Sequence, residues 1–171
     1  DGSIAADLNI NFDNEGKIKN NYQIKGFIKN VKFNLLNKFN VKDLNFSFDI
    51  NSNKYSLSKI KTSFNKIRFD SPYVQIIKKK DLYLVDGTVL SKGQILEKKD
   101  LELIFGNLLN SFDITKVELS SKNNFSFTIN KKFKLKDLKV KTIIDLDELM
   151  LKEKYLNLKS FIPNAKEEIK F

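Results

Sequence analysis

Three stretches of this chain alternate strictly between apolar and polar residues. Leu8, Ile10 and Phe12 enclose Asn9 and Asn11. Leu44, Phe46, Phe48 and Ile50 enclose Asn45, Ser47 and Asp49. Phe125, Phe127 and Ile129 enclose Ser126 and Thr128. Successive side chains of a strand point to opposite faces, so each stretch has one oily face and one wet face. This is the pattern of antiparallel strands covered on one side only. It predicts an all-β, mainly antiparallel fold.

Turn signals fall between the strands. Asn14-Glu15-Gly16 separates the first strand from Lys17–Ile28, and Asn51-Ser52-Asn53 separates the strand ending at Ile50 from one beginning at Tyr55. Lys78-Lys79-Lys80-Asp81 separates Tyr73–Ile77 from Leu82–Leu90. Ser71-Pro72 marks a bend or an edge position, because proline cannot donate to a ladder. Ordinary strand lengths then give roughly eight to ten strands. One segment departs from the pattern. Leu101, Ile104, Phe105 and Leu108 form a helical stripe, predicting one short amphipathic helix over Asp100–Asn110 with Asp100 as N-cap and Asn110-Ser111 as its end. A second short helix is expected around Asp145–Lys154.

The strands repeat. Residues 45–51 read NFSFDIN and residues 124–130 read NFSFTIN, identical at six of seven positions. Lys54-Tyr55-Ser56-Leu57 follows the first and Lys132-Phe133-Lys134-Leu135 the second, with turns that differ in length by one residue. Before each copy stands a Tyr-x-apolar-x-Gly-x-apolar strand, at Tyr22–Ile28 and at Tyr83–Val89. The chain thus reads as a single β-rich segment over 1–171, with repeat units at about 4–70 and 73–145 and a helical insertion near 100–110. A one-sided hairpin cannot bury its own apolar face, so such units stack into a continuous sheet that closes or curls over its oily side.

What is missing bounds the chemistry. The chain has no Cys, His or Trp. A disulfide framework, a structural zinc site, a Cys nucleophile and a Ser-His-Asp triad cannot be built. Its Ser and Lys residues sit in no Gly-rich nucleophile turn, and it carries no phosphate loop or dinucleotide fingerprint. Asp13-Asn14-Glu15-Gly16 lacks the other ligand positions of a calcium loop, and Asp145-Leu146-Asp147-Glu148 reads as helix capping. No enzyme, cofactor or metal site is expected.

The 31 Lys+Arg against 21 Asp+Glu give a net charge of +10, and every cation but Arg68 is Lys. With 20 Asn and abundant Ile and Phe, an A/T-rich codon bias accounts for this balance. A Lys-rich surface facing anionic lipid headgroups is the other reading. Nucleic-acid sites favour Arg for bidentate contacts, so a single Arg argues against sequence-reading DNA binding. No apolar run approaches the roughly 18 residues that span a bilayer. The chain starts at Asp1 and stops at Phe171 without a clear cap, which reads as a segment of something longer.

In Tyr22–Ile28, its twin Tyr83–Val89 and the two Phe-Ser-Phe-x-Ile-Asn hairpins, the chain resembles the AsmA-like superfamily, the group that includes TamB and YhdP. The resemblance covers about residues 4–145. In that family such strands build a long curved β-sheet whose hydrophobic groove holds acyl chains. Its members are anchored in the inner membrane of diderm bacteria, extend through the periplasm, and are implicated in moving phospholipid to the outer membrane. The resemblance therefore implies a curved, repeat-built sheet forming an open hydrophobic groove. It also implies a periplasmic place within an inner-membrane-anchored protein whose anchor lies outside this sequence.

The partners it implies are phospholipid or another acyl-chain lipid, together with neighbouring repeats of a parent chain or other envelope proteins. The candidate lipid-binding residues are Ile24, Ile28, Phe46, Phe48, Ile50, Tyr55, Leu57, Val85, Val89, Phe125, Phe127, Ile129, Phe133 and Leu135. The alternative is that these strands seal a closed β-sandwich, a structural or protein-interaction module with no ligand. The sequence is short for the family, and its helix interrupts the strand series.

Overall fold

The computed structural model describes residues 2–35, 39–64, 67–105, 114–152 and 168–170. Nine strands and one helix follow in chain order: β1 (Ser3–Asn9), β2 (Gln23–Leu35), β3 (Phe39–Asn51), β4 (Lys54–Phe64), β5 (Ile67–Lys78), β6 (Leu82–Glu97), α1 (Lys98–Phe105), β7 (Ile114–Asn130), β8 (Leu135–Lys152) and β9 (Glu168–Lys170). The strands lie side by side in sequence order in one open sheet. The pairings from β1 through β6, and of β8 with β9, are antiparallel. The fold is all-β with one short helix. Among the described residues the strands form one sheet, without the separate second sheet of a two-sheet sandwich.

The strands run longer than the alternation suggested, because bulges let the apolar face continue after the alternation changes parity. On β2 the apolar positions shift from Ile24 and Ile28 to Val31 and Phe33, on β3 from Val41 to Leu44, and on β4 from Leu57 to Ile60. Register shifts occur at each place, between Ile28 and Val31, between Lys42 and Asn45, and opposite Ser58 and Lys61. At each, one residue adopts positive φ: Asn30 (56°), Asp43 (53°) and Lys59 (53°). A bulge places one extra residue in one strand, bends it and strengthens the local twist. On β5 a shift between Asp70 and Val74 falls where Ser71-Pro72 predicted a bend.

Two local expectations are corrected. Helix α1 starts at Lys98, and Asp100 is not its N-cap. The Asp100 carboxylate instead accepts from the backbone N–H of Glu97 at 3.2 Å. An acid at the third helical position reaching back to the cap residue is one half of a capping box. Leu101 of the predicted stripe is buried. Residues 106–110, with Leu108 and the Asn110-Ser111 end, lie outside the described residues. The second expected helix is a strand: β8 runs through Asp145–Lys152, and only its last positions fall outside the described residues. Ladder partners decide this. Met150, Leu151 and Lys152 pair with Lys170, Ile169 and Glu168, so tertiary context overrides a weak helical pattern.

The chain forms two compact units, Asp1–Ser91 with Lys122–Ile143, and Lys92–Ser121 with Ile144–Phe171. Their boundaries fall inside β6, β7 and β8. Buried apolar side chains are few: Val41, Phe48 and Val85 in the first unit, and Leu96, Leu101 and Val117 in the second. Among the described residues none is fully buried. On β4, side chains of both faces are mostly half-buried, as a single layer dictates.

Candidate functional site

Residues opposite one another in an antiparallel ladder share a face. In the first unit, Leu8, Ile24, Ile50, Tyr55, Ile76 and Val85 are successive partners across six strands. The adjacent row is Ala6, Gly26, Phe48, Leu57, Val74 and Gly87. Beyond it Ile4 pairs with Ile28 and Ile28 with Phe46. All three rows belong to one face. The row pointing the other way is Asp7, Lys25, Asp49, Ser56, Gln75 and Asp86. There Lys25 pairs with Asp49 at 3.5 Å, and the Gln23 amide donates to both Asp49 oxygens at 2.9 and 3.2 Å. Such exposed pairs fix register more than they add stability.

Two glycines interrupt the apolar face, and both lie under rings. A methyl group on Gly26 would meet the Phe48 ring at 2.6 Å and the Ala5 carbonyl oxygen, and one on Gly87 would meet the Phe125 ring at 2.7 Å and the Tyr73 carbonyl oxygen at 3.0 Å. Glycine weakens a strand interior, so its place here is explained by the close approach of the ring. The repeat therefore has a structural counterpart, with one difference. In the first copy the glycine lies under the second Phe of Phe-Ser-Phe, in the second copy under the first. Phe46 and Phe48 are tilted at 6.3 Å between centroids, whereas Phe125 and Phe127 stack at 6.0 Å.

The last Asn of each motif builds the hairpin turn that follows. The Asn51 side-chain oxygen accepts from the N–H groups of Asn53 and Lys54, and that of Asn130 from those of Lys132 and Lys134. The turns then diverge. The first closes with Ser52 and Asn53 between paired strands. In the second, Asn130 and Lys134 are bonded across a three-residue loop. The third residue of such a loop takes a left-handed conformation, and that residue is Phe133, at φ 56°.

Most candidate lipid-contacting residues are brought together as expected from alternation. Ile24, Ile28, Phe46, Phe48, Ile50, Tyr55, Leu57 and Val85 share the face through the ladder. Phe125 joins it over Gly87, Phe127 and Ile129 continue its parity along β7, and Val89 that of Val85 along β6. Phe133 does not belong to this face. It lies in the turn, 88 % exposed, because the extra loop residue puts it out of step with Tyr55. Leu135 opens β8 and is 53 % exposed. Residues missed by sequence reading are Ile4, Val31, Val41, Ile60, Val74 and Ile76. The change of alternation parity at each bulge is the signal that would have found most of them.

Within the first unit the face expected to line a groove is exposed at its β1 end and half-buried to buried farther in, where Phe48 and Val85 are buried. Ile4 and Leu8 at its β1 end are 69 % and 59 % exposed. The second unit has a cleft of about 540 Å³ lined by residues including Ile95, Lys99, Thr115 and Met150. Beside it Lys116 and Glu148 pair at 2.9 Å. The hydrogen bond to Glu148 raises the Lys116 pKa above its ordinary value, as Glu97 does for Lys99 and Asp81 for Lys131. The three ammonium groups therefore keep their protons through neutral pH. Among the described residues no cluster of three or more carboxylates could hold a metal ion, and no helix is long and apolar enough to cross a membrane. No protein-family model, curated protein or solved structure matches this chain.

Proposed function

We propose that the apolar face of the first unit is a passive lipid-binding surface that shields the acyl chains of phospholipid from water. The observation that carries this is the set of ladder rows on one face, two running from β1 to β6 and a third from β1 to β3, in a sheet to which the described residues add no second sheet. Water against so wide an apolar surface is unfavourable, at roughly 25 cal/mol per Å², and extended apolar patches mark interaction sites. An acyl chain is a fitting cover, because a flat row of Ile, Leu, Phe and Tyr side chains offers dispersion contacts without polar demands. Headgroups would remain in water, and no residue performs chemistry.

The reading includes membership of the AsmA-like superfamily and a place in the periplasm, as part of an inner-membrane-anchored protein that carries phospholipid between inner and outer membranes. It rests on the quoted strand motifs and on the apolar face. Native mass spectrometry of the protein purified from a bacterial host tests it. The wild type is expected to carry intact phospholipid, and Phe127→Asp, on a half-exposed position of the face, to remain folded and lose it. A lipid-free wild type that also takes up no fluorescent phospholipid would contradict the reading. So would unfolding of Phe127→Asp, since only a sealed core makes a charge there prohibitive.

A further inference from the structure

The hairpin turns at one end of the first unit are joined into one row. The N–H of Lys78 donates to the Asn53 carbonyl at 2.8 Å, linking the β3–β4 and β5–β6 turns. Lys131 pairs with Asp81 at 2.7 Å, linking the β5–β6 and β7–β8 turns. This row is strongly basic. Lys78–Lys80 lie in one turn, and Lys131–Lys136 contributes four more lysines, all exposed, against Asp81 in the turn beside them. From the middle of the second group projects Phe133, 88 % exposed. Its left-handed backbone costs a non-glycine residue roughly 1–2 kcal/mol relative to an ordinary conformation. Glycine would serve that turn better, so the ring answers to something other than stability.

We infer that this end of the first unit docks on an anionic lipid bilayer, with the lysines over the headgroups and the Phe133 ring inserted between them. Charge complementarity selects the partner. A cluster of lysines on flexible stems suits a diffuse negative surface, whereas bidentate recognition of single phosphates favours Arg. An exposed aromatic ring among cations has a place in a membrane interface and none against a duplex backbone. The inference goes beyond the acyl-chain reading and does not need it. The docking end and the apolar face are different surfaces, altered by different substitutions.

Flotation of the full chain with vesicles tests the docking. Binding is expected to vesicles of 70 % phosphatidylcholine and 30 % phosphatidylglycerol, to be lost in pure phosphatidylcholine, and to weaken steeply with salt. Each lysine neutralised should weaken it about fivefold, so Lys79→Gln/Lys80→Gln/Lys132→Gln should cost roughly 100-fold. Phe133→Ser should cost about tenfold with the salt dependence unchanged. The control Lys29→Gln/Lys42→Gln/Lys61→Gln, farther along the strands, should change binding less than about threefold. Equal losses from the control triple would overturn the inference, since the attraction would then belong to overall charge. Indifference to Phe133→Ser, or tighter binding to duplex DNA than to anionic vesicles at the same salt, would also overturn it. Phe127→Asp is expected to keep vesicle docking, so failure of docking and failure of acyl-chain binding are told apart.

Discussion

Phe133 shows how one residue can be out of place for two reasons at once. Its backbone is left-handed, the conformation that three-residue hairpin loops reserve for glycine. Its ring is the most exposed large apolar side chain described. Phe133→Gly should therefore stabilise the protein by about 1 kcal/mol, read as a higher urea midpoint at unchanged slope, while weakening vesicle binding. No change or a loss of stability would mean that the ring packs usefully in the folded state. The sequence placed Phe133 beside Tyr55, since both follow the same seven-residue motif. A single extra loop residue changes the turn type, and a one-residue slip sends every later side chain to the other face. Nothing in the motif itself carries that information. The Asn that ends each motif was legible as a turn residue, although its two accepted hydrogen bonds were not.

The strands were legible as elements and less so in their ends. Alternation marked Leu44–Ile50, but β3 begins at Phe39, beyond a bulge where the parity of apolar positions reverses. The reversal was in the residues all along: Val41 is odd and Leu44 even, yet both belong to one continuous strand. Reading strict period two over a window stops at each bulge, which is why β2 and β3 came out short at their bulged ends. Asn30 and Asp43 suit left-handed bulge positions, because short polar side chains tolerate that conformation. Lys59 does not, and nothing in its local sequence announced it. The glycines of the Tyr-x-apolar-x-Gly strands were legible as a motif, while their role required the ladder. Gly87→Ala should destabilise by about 1–3 kcal/mol in chemical denaturation, because the methyl group meets the Phe125 ring and a backbone oxygen. Strand propensity alone predicts the opposite sign, so a stabilised Gly87→Ala would refute the role given to the ring.

For the molecule as a whole, the central feature is the apolar sheet face of the first unit, to which the described residues add no second sheet. Fold class was legible because one-sided alternation is a strong and repeated signal. What covers the face was not, since a lipid and a second sheet ask for the same Ile, Leu and Phe side chains. Among the described residues all nine strands belong to one sheet, so no second sheet is seen to cover the face. The measurement that bears most directly on the account is photo-crosslinking with a phospholipid that carries a diazirine on its acyl chain, with labelled residues mapped by peptide mass spectrometry. The account predicts labels on the row Ile24, Ile50, Tyr55, Ile76 and Val85 and its neighbour Leu57, with none on the Lys25, Asp49, Ser56 and Gln75 row of the opposite face. Equal labelling of both faces, or labelling confined to the second unit, would contradict it.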